Sequence, residues 1–379
     1  MKDVVIEKDY KIKIKSTIKD FSFPEKIYIP ILNHYKLNAK NQKVYKEDII
    51  LYDGNKPIYS YVSGEIVGYG NFTAYKKELE KFLIIKNDLK EEINNFNYKP
   101  IVKTKESFLK LLEEKNIVAY NNDKDIFKLL KNAKRDDILL ISCIEDEPYL
   151  VYNNAIIKYH IDEVLNMIDE IISLFNLQAM IVLISSDSEN IKKVLSRVGR
   201  YPNISLKLVK DYYGYNNDLF LKNKLSITKK IIRLDVGDIL NIYYLYKRGK
   251  IFTKKYITLT GNCLKNRQNI KVKIGINFNE ILPTLKLSNQ KCYGIVNGLM
   301  KGKAISLDNL IITQDIKGIV FTDITEEKEE ECINCGLCYK VCPQNIDPRN
   351  ANKNKECLKC NLCSYVCPAK INLNTKGGK

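Results

Sequence analysis

Eight cysteines in the last fifty residues set the tightest limit on what this chain can fold into. Cys332, Cys335 and Cys338 are separated by two residues each, and Cys342 follows after three more, directly before Pro343. The same spacing returns at Cys357, Cys360, Cys363 and Cys367, directly before Pro368. Three thiolates at this spacing let a tight turn wrap one corner of a cubane. The proline then turns the chain without offering an N–H. Thiolate donors suit iron, and one run of this form already names a [4Fe–4S] site. CxxC pairs also hold zinc in four-thiolate sites. Two identical runs, each closed by Cys-Pro, favour iron–sulfur over zinc.

In tandem the runs make a two-cluster module of bacterial ferredoxin type. The fourth cysteine of each run is expected to start a helix that leads away, and to ligate the other cluster. One cluster then takes Cys332, Cys335, Cys338 and Cys367; the other takes Cys357, Cys360, Cys363 and Cys342. Only fourteen residues separate Cys342 from Cys357, and crossed ligation would hold the cubanes close enough for electron hopping. Of the remaining cysteines, Cys143 reads as a small core hydrophobe. Cys263, after Gly261-Asn262, could be more exposed, and Cys292 lies near a glycine-rich turn. They supply no set for a third cluster.

The 379 residues suffice for several domains. Lys plus Arg number 62 against 45 Asp plus Glu, a formal charge of +17. The lysines are scattered among Asn, Ile and Tyr with no dense basic block, so nucleic acid is not the expected partner. Met1–Asp9 holds no apolar signal segment and no stretch reaches a membrane-spanning length. A reducing cytoplasm is expected, with peripheral attachment to the cytoplasmic face of a membrane left open.

The architecture expected is α/β and multidomain. Residues 1–75 read as a small β module, with strands at 4–6, 12–14, 27–29, 49–52, 58–62 and 65–67 and a turn at Asp53-Gly54. Residues 76–228 alternate strand and helix. Thr104 caps a helix, 117–120 and 138–142 are strands, and 123–130 and 161–175 are helices. A strand at 180–184, a helix opened by a Ser186/Glu189 capping box and a strand at 204–209 follow. Residues 229–322 form a third region with strands at 256–260, 272–274 and 319–321. Gly294, Gly298 and Gly302 mark turns and close backbone approach there. An acidic run, 326–331, reads as a solvated linker into the 323–379 cluster domain.

Outside the cysteines the chemistry is sparse. His34 and His160 are the only histidines, and each reads as a structural hydrogen-bonding or capping residue. Glu145, Asp146 and Glu147 follow the 138–142 strand, at the end of a parallel sheet where α/β folds bind ligands. They could hold a cation or steer a partner, or form a plain solvated loop. Neither a dinucleotide fingerprint, a P-loop nor a nucleophile elbow occurs.

The whole order resembles the C subunit of the Rnf ion-translocating ferredoxin:NAD oxidoreductase. Related proteins include cobalamin reductases of propanediol use and the electron-transfer protein linked to proline reductase. Pro30-Ile31-Leu32-Asn33-His34 is similar to the family's opening. Tyr61-Val62-Ser63-Gly64-Glu65-Ile66-Val67 is similar to its hairpin of biotinyl-carrier type. Glu147-Pro148-Tyr149, His160-x-x-Glu163-Val164, Thr258-Leu259-Thr260-Gly261, Ile274-Gly275 and 296–302 fit its later segments.

The resemblance implies a barrel-sandwich-hybrid-like β module and an α/β domain like the 51 kDa subunit of complex I, followed by a soluble-ligand-binding β-grasp (SLBB) domain and the two-cluster ferredoxin domain. It further implies non-covalent FMN, NADH chemistry and redox partners such as a ferredoxin, a flavoprotein or a reductase subunit. The glycines of the family's flavin loop are replaced by Ala119-Tyr120-Asn121-Asn122-Asp123-Lys124, and its cysteine before Glu-Pro-Tyr by Asp146. Glu145 and Glu147 remain as the acids of any nucleotide region. The reading is an electron carrier with a degenerate FMN/NADH site; the alternatives are a complete FMN-dependent NADH dehydrogenase subunit and a non-catalytic Fe–S scaffold.

Overall fold

A computed structural model describes residues 18–31, 35–37, 42–94, 104–117, 119–120, 125–211, 213, 218–288, 292–323, 328–349 and 357–373. The strands expected at 4–6 and 12–14, His34, and 121–124 of the replaced glycine loop lie outside the described residues.

Two small antiparallel sheets build the β module. One has the order Lys26–Pro30, Glu80–Asn87, Gly64–Phe72, Lys43–Val44; the other runs Tyr35–Leu37, Ile49–Asp53, Lys56–Tyr59. Period-2 alternation gives the long strands two apolar faces. Ile27, Ile29, Leu83 and Ile85 meet Ile50 and Leu51 of the second sheet in one core. Tyr28, Phe82 and Phe72 point the other way and pack with Ile311 of the third region. The module therefore continues past residue 75, because Glu80–Asn87 is the strand that joins Lys26–Pro30 to Gly64–Phe72. Pro30, which lacks an N–H, closes an edge strand where no ladder donor is required.

A four-stranded parallel sheet carries the α/β region in the order Ile204–Val209, Gln178–Ile184, Ile138–Ser142, Ile231–Asp235. The helices Tyr152–Phe175 and Val236–Arg248 bury one face, and Phe220 and Leu221 cover the other. Continuous apolar strands match this two-sided burial. The region extends past 228, since Ile231–Asp235 pairs with Ile138–Ser142.

Several local expectations change. Thr104 does cap Lys105–Glu114, but the next helix spans only Ile126–Lys131, capped by Asp125. The described residues of 117–120 form no strand. Asp187, not Ser186, caps Ser188–Val198 by accepting from the Asn190 N–H. His160, with φ −135° and ψ 20°, is the break between two helical segments of Tyr152–Phe175, so the expected 161–175 helix does begin just after it, with a further helical segment from Tyr152 in front.

The third region is a six-stranded mixed sheet with Gln268–Lys273, Lys254–Thr260 and Gly318–Thr322 at its centre. Its outermost strand, Lys19–Phe21, pairs in parallel with Gln268–Lys273. The cysteine module follows. Glu329 and Glu330 are exposed but not free, because the Glu330 N–H donates to the Ala369 carbonyl at 3.0 Å and Glu329 accepts from the Asn372 N–H. The start of the module is thus fastened to its end.

Candidate metal centre

The two cysteine runs share one backbone. In the first, Asn334 (φ 55°), Gly336 (71°) and Asn345 (55°) are left-handed; in the second, Lys359 (49°), Asn361 (65°) and Lys370 (54°) stand at the equivalent positions. Asn and Gly tolerate this region best, and such turns bring successive N–H groups round to one side. A short helix carries the third cysteine of each run, Leu337–Val341 and Leu362–Tyr365. The fourth cysteine therefore ends a helix rather than starting one. Pro343 restricts Cys342 to extended backbone (φ −63°, ψ 120°).

Cys332, Cys335 and Cys338 line one cavity together with Cys367 from the other run, walled by Ala369, Ile371 and Leu373. Cys332 and Cys335 are exposed, and Cys338 and Cys367 half-buried. In the second set, burial raises the Cys360 thiol pKa, and Cys342 and Cys357 lie near enough to raise it further. Burial with Cys360 and Cys357 close by likewise pushes Cys363 up to about 11. Backbone N–H groups already point at sulfur: Ile346 to Cys342 and Lys359 to Cys357, each at 3.4 Å. Among the described residues no three His, Cys, Asp or Glu side chains converge on a single-ion site. A cubane is held at four separate iron corners, with N–H donors to its sulfurs. The first set is arranged around a cavity, and two sulfurs of the second set already receive N–H donors; both features suit that group.

The second set is seated on the rest of the chain. The Tyr213 hydroxyl donates to the Cys360 carbonyl at 2.9 Å, and the Asn361 side-chain amide donates to the Met300 carbonyl at 2.7 Å. Tyr213, Met300 and Leu362 are buried together, with Val341 and Cys360 packed against them. The Met300 N–H donates in turn to Glu147 Oε2 at 3.0 Å. The loop can approach so closely because Gly298 has φ 99° and no side chain; a Cβ there would stand 2.5 Å from Glu147 Oε2. This is the close approach that the recurring glycines imply.

The three acids lie at the topological switch point of the parallel sheet, between the ends of Ile138–Ser142 and Ile231–Asp235. Each is engaged. Glu145 Oε1 accepts from the Asn153 N–H at 2.6 Å, in the first turn of the helix that starts at Tyr152. Asp146 pairs with Lys317. Burial works to raise the Asp146 carboxyl, and the Lys317 ammonium overcomes this and holds it below the ordinary range. Glu147 is buried, and that burial pushes it up to about 8 against the Met300 N–H.

The second helix at the switch point, Val236–Arg248, has its N-terminus closed in the same way. Asp238 accepts from the Tyr120 N–H at 2.7 Å and the Asp235 N–H at 2.8 Å. The buried Tyr120 ring lies so tightly on Gly237 that a Cβ there would be 2.3 Å from it. Beneath the ring, the buried Lys255 ammonium donates to the Gln314 carbonyl at 2.5 Å. A flavin phosphate needs free N–H groups and positive helix ends. Here both helix ends carry the chain's own carboxylates, and an aromatic ring fills the space the glycine leaves. These residues do not fit a flavin phosphate.

Of the remaining candidates, Cys143 is a buried core residue. Cys263 is buried rather than exposed, in hydrogen-bonding contact with Cys292. His160 Nε2 lies 2.9 Å from the Tyr256 hydroxyl, a structural bond. Sequence reasoning missed Tyr213, Asn361 and Met300. The only signal for them was a polar Asn between Cys360 and Cys363, where the first run has Gly336.

A 4Fe-4S binding domain family matches residues 327–346. Along most of its length the chain is homologous to the C subunits of ion-translocating oxidoreductase complexes. It is 25% identical to the C subunit of an ion-translocating oxidoreductase complex from Buchnera aphidicola subsp. Acyrthosiphon pisum, over 86% of this chain and 74% of the relative. It is 22% identical to the C subunit of a proton-translocating ferredoxin:NAD(+) oxidoreductase complex from Clostridium ljungdahlii, over 86% and 77%. In fold it is similar to a chain of an NAD+-reducing [NiFe]-hydrogenase in the air-oxidized state, with TM-score 0.50 and 7% identity over 58% of this chain and 47% of that one. A general redox role follows from this kinship and from the iron–sulfur segment. Among the described residues no helix is long and apolar enough to cross a membrane.

Proposed function

We propose that the chain is an electron-transfer protein carrying two [4Fe–4S] clusters, a relative of the Rnf C subunits that passes single electrons between redox proteins. The observation that carries this is the placing of Cys367 around the same cavity as Cys332, Cys335 and Cys338. Cys332, Cys335, Cys338 and Cys367 hold an outboard cluster; Cys342, Cys357, Cys360 and Cys363 hold an inboard one. The bound clusters supply one-electron chemistry. Tyr213, Asn361 and Met300 anchor the inboard loop, and the exposed Cys332–Cys335 turn lets a partner approach the outboard site.

The partners of this reading are a ferredoxin, a flavoprotein or a reductase subunit, in a complex lying on the cytoplasmic face of a membrane. The β-grasp and barrel-sandwich-like regions supply docking surface. Glu145, Asp238 and Tyr120 support a degenerate FMN/NADH site, so no step is routed through a flavin. The kinship with a named ferredoxin:NAD(+) oxidoreductase subunit favours a second reading, an FMN-dependent NADH dehydrogenase subunit.

Anaerobic purification with iron, sulfide and flavin analysis, followed by NADH addition, separates the two. The carrier shows about eight irons per chain, little flavin and no bleaching by NADH. Stoichiometric FMN with rapid cluster reduction supports the second reading. Zinc, or no metal, overturns both.

A further inference from the structure

Glu147 joins the acidic loop to the inboard cysteine loop. It is 3% exposed. Its Oε2 accepts from the Met300 N–H, while Oε1 is buried with no hydrogen-bond partner among the described residues. Met300 in turn accepts from Asn361, which stands between Cys360 and Cys363. A second arm runs through Tyr213, which bonds the Cys360 carbonyl and lies near enough to feel Glu147. A buried carboxyl with an idle oxygen, linked by hydrogen bonds to a loop that gains negative charge, is placed to take up a proton.

We propose that Glu147 is a proton acceptor linked to reduction of the inboard cluster, coupled to it through Met300, Asn361 and Tyr213. The inference rests on the two-cluster reading above. A one-electron donor, dithionite in the test, adds one negative charge to the cluster. The Glu147 carboxylate takes one proton from the buffer, forming an O–H bond at the idle Oε1, so the net charge of the buried region is unchanged.

The other groups facing Glu147 leave this role to it. Asp146 is already compensated by Lys317, which also faces Glu147. Lys301 is exposed. Tyr75 and Tyr213 titrate above their ordinary value because of burial. Burial raises the Glu147 carboxyl instead toward neutrality, to about 8.

The test is an EPR-monitored dithionite titration of the full chain, carried from about pH 7 to about pH 10. One midpoint potential should fall with rising pH, by up to tenfold in the oxidised-to-reduced ratio per pH unit, about 59 mV for one electron. The other should stay flat. Glu147→Gln keeps an acceptor for the Met300 N–H and should abolish the slope. Tyr213→Phe should shift the sloping potential and leave the flat one in place. Two flat potentials in the native chain, or an unchanged slope in Glu147→Gln, overturns the inference alone. Iron and sulfide well below about eight per chain overturns the two-cluster reading and the inference with it.

Discussion

The Tyr120 amide donates to Asp238 Oδ1 at 2.7 Å, and the Tyr120 hydroxyl accepts from the Tyr256 N–H at 2.6 Å. One side chain and its own backbone thus tie the 119–120 segment to a helix N-terminus and to the central strand of another sheet. Tyr120→Phe should cost about 1 kcal/mol through the lost bond to Tyr256. Tyr120→Ala should cost about 3–5 kcal/mol, as for other large aromatic truncations. Urea unfolding followed by circular dichroism measures both, and equal midpoints for the two variants would contradict the packing described.

Lys255 gives a pH prediction. Burial depresses its ammonium to about 7, whereas an unfolded lysine holds its proton to about 10.4. Between these values the unfolded chain binds more protons than the folded one. The contribution of Lys255 to stability therefore rises with pH through that window. The urea midpoint of the native chain should rise relative to that of Lys255→Met steadily from about pH 7 to about pH 10. A difference independent of pH would show that the amine is solvated.

Gly298→Ala strains a left-handed position and drives a methyl into Glu147. The cost should be about 1–3 kcal/mol. Gly199→Ala is the control, since its Cβ would meet nothing within 4 Å. It should move the urea midpoint little.

Crossed ligation predicts which cysteines act as a set. Cys367→Ser and Cys338→Ser should lose the same reduced EPR signal and about half the iron. Cys342→Ser should lose the other signal. If Cys367→Ser instead matches Cys360→Ser, each run binds its own cluster.

The cysteine spacing and the parallel sheet were legible because each is a local pattern. Eight thiols at fixed offsets, and continuous apolar strands such as Ile138–Ser142, carry their meaning within a few residues. Contacts between distant segments left no such trace. Lys19–Phe21 joins a sheet built from residues beyond 250, and nothing in three residues states that partner. The described residues of 117–120 form no ladder, and Asp238 takes the Tyr120 amide that one would have used. The Glu147–Met300–Asn361 chain was equally silent, being made of one side chain, one backbone unit and one amide from three regions.

The parallel pairing of Lys19–Phe21 with Gln268–Lys273 also constrains how the molecule is born. During synthesis the earlier strand emerges roughly 250 residues before its mate, about 12 to 50 seconds at about 5–20 residues per second. Throughout that interval its edge has no native neighbour. The nascent polypeptide must keep it from wrong pairings until the ribosome delivers the mate, so completion of this sheet is a late event in biogenesis.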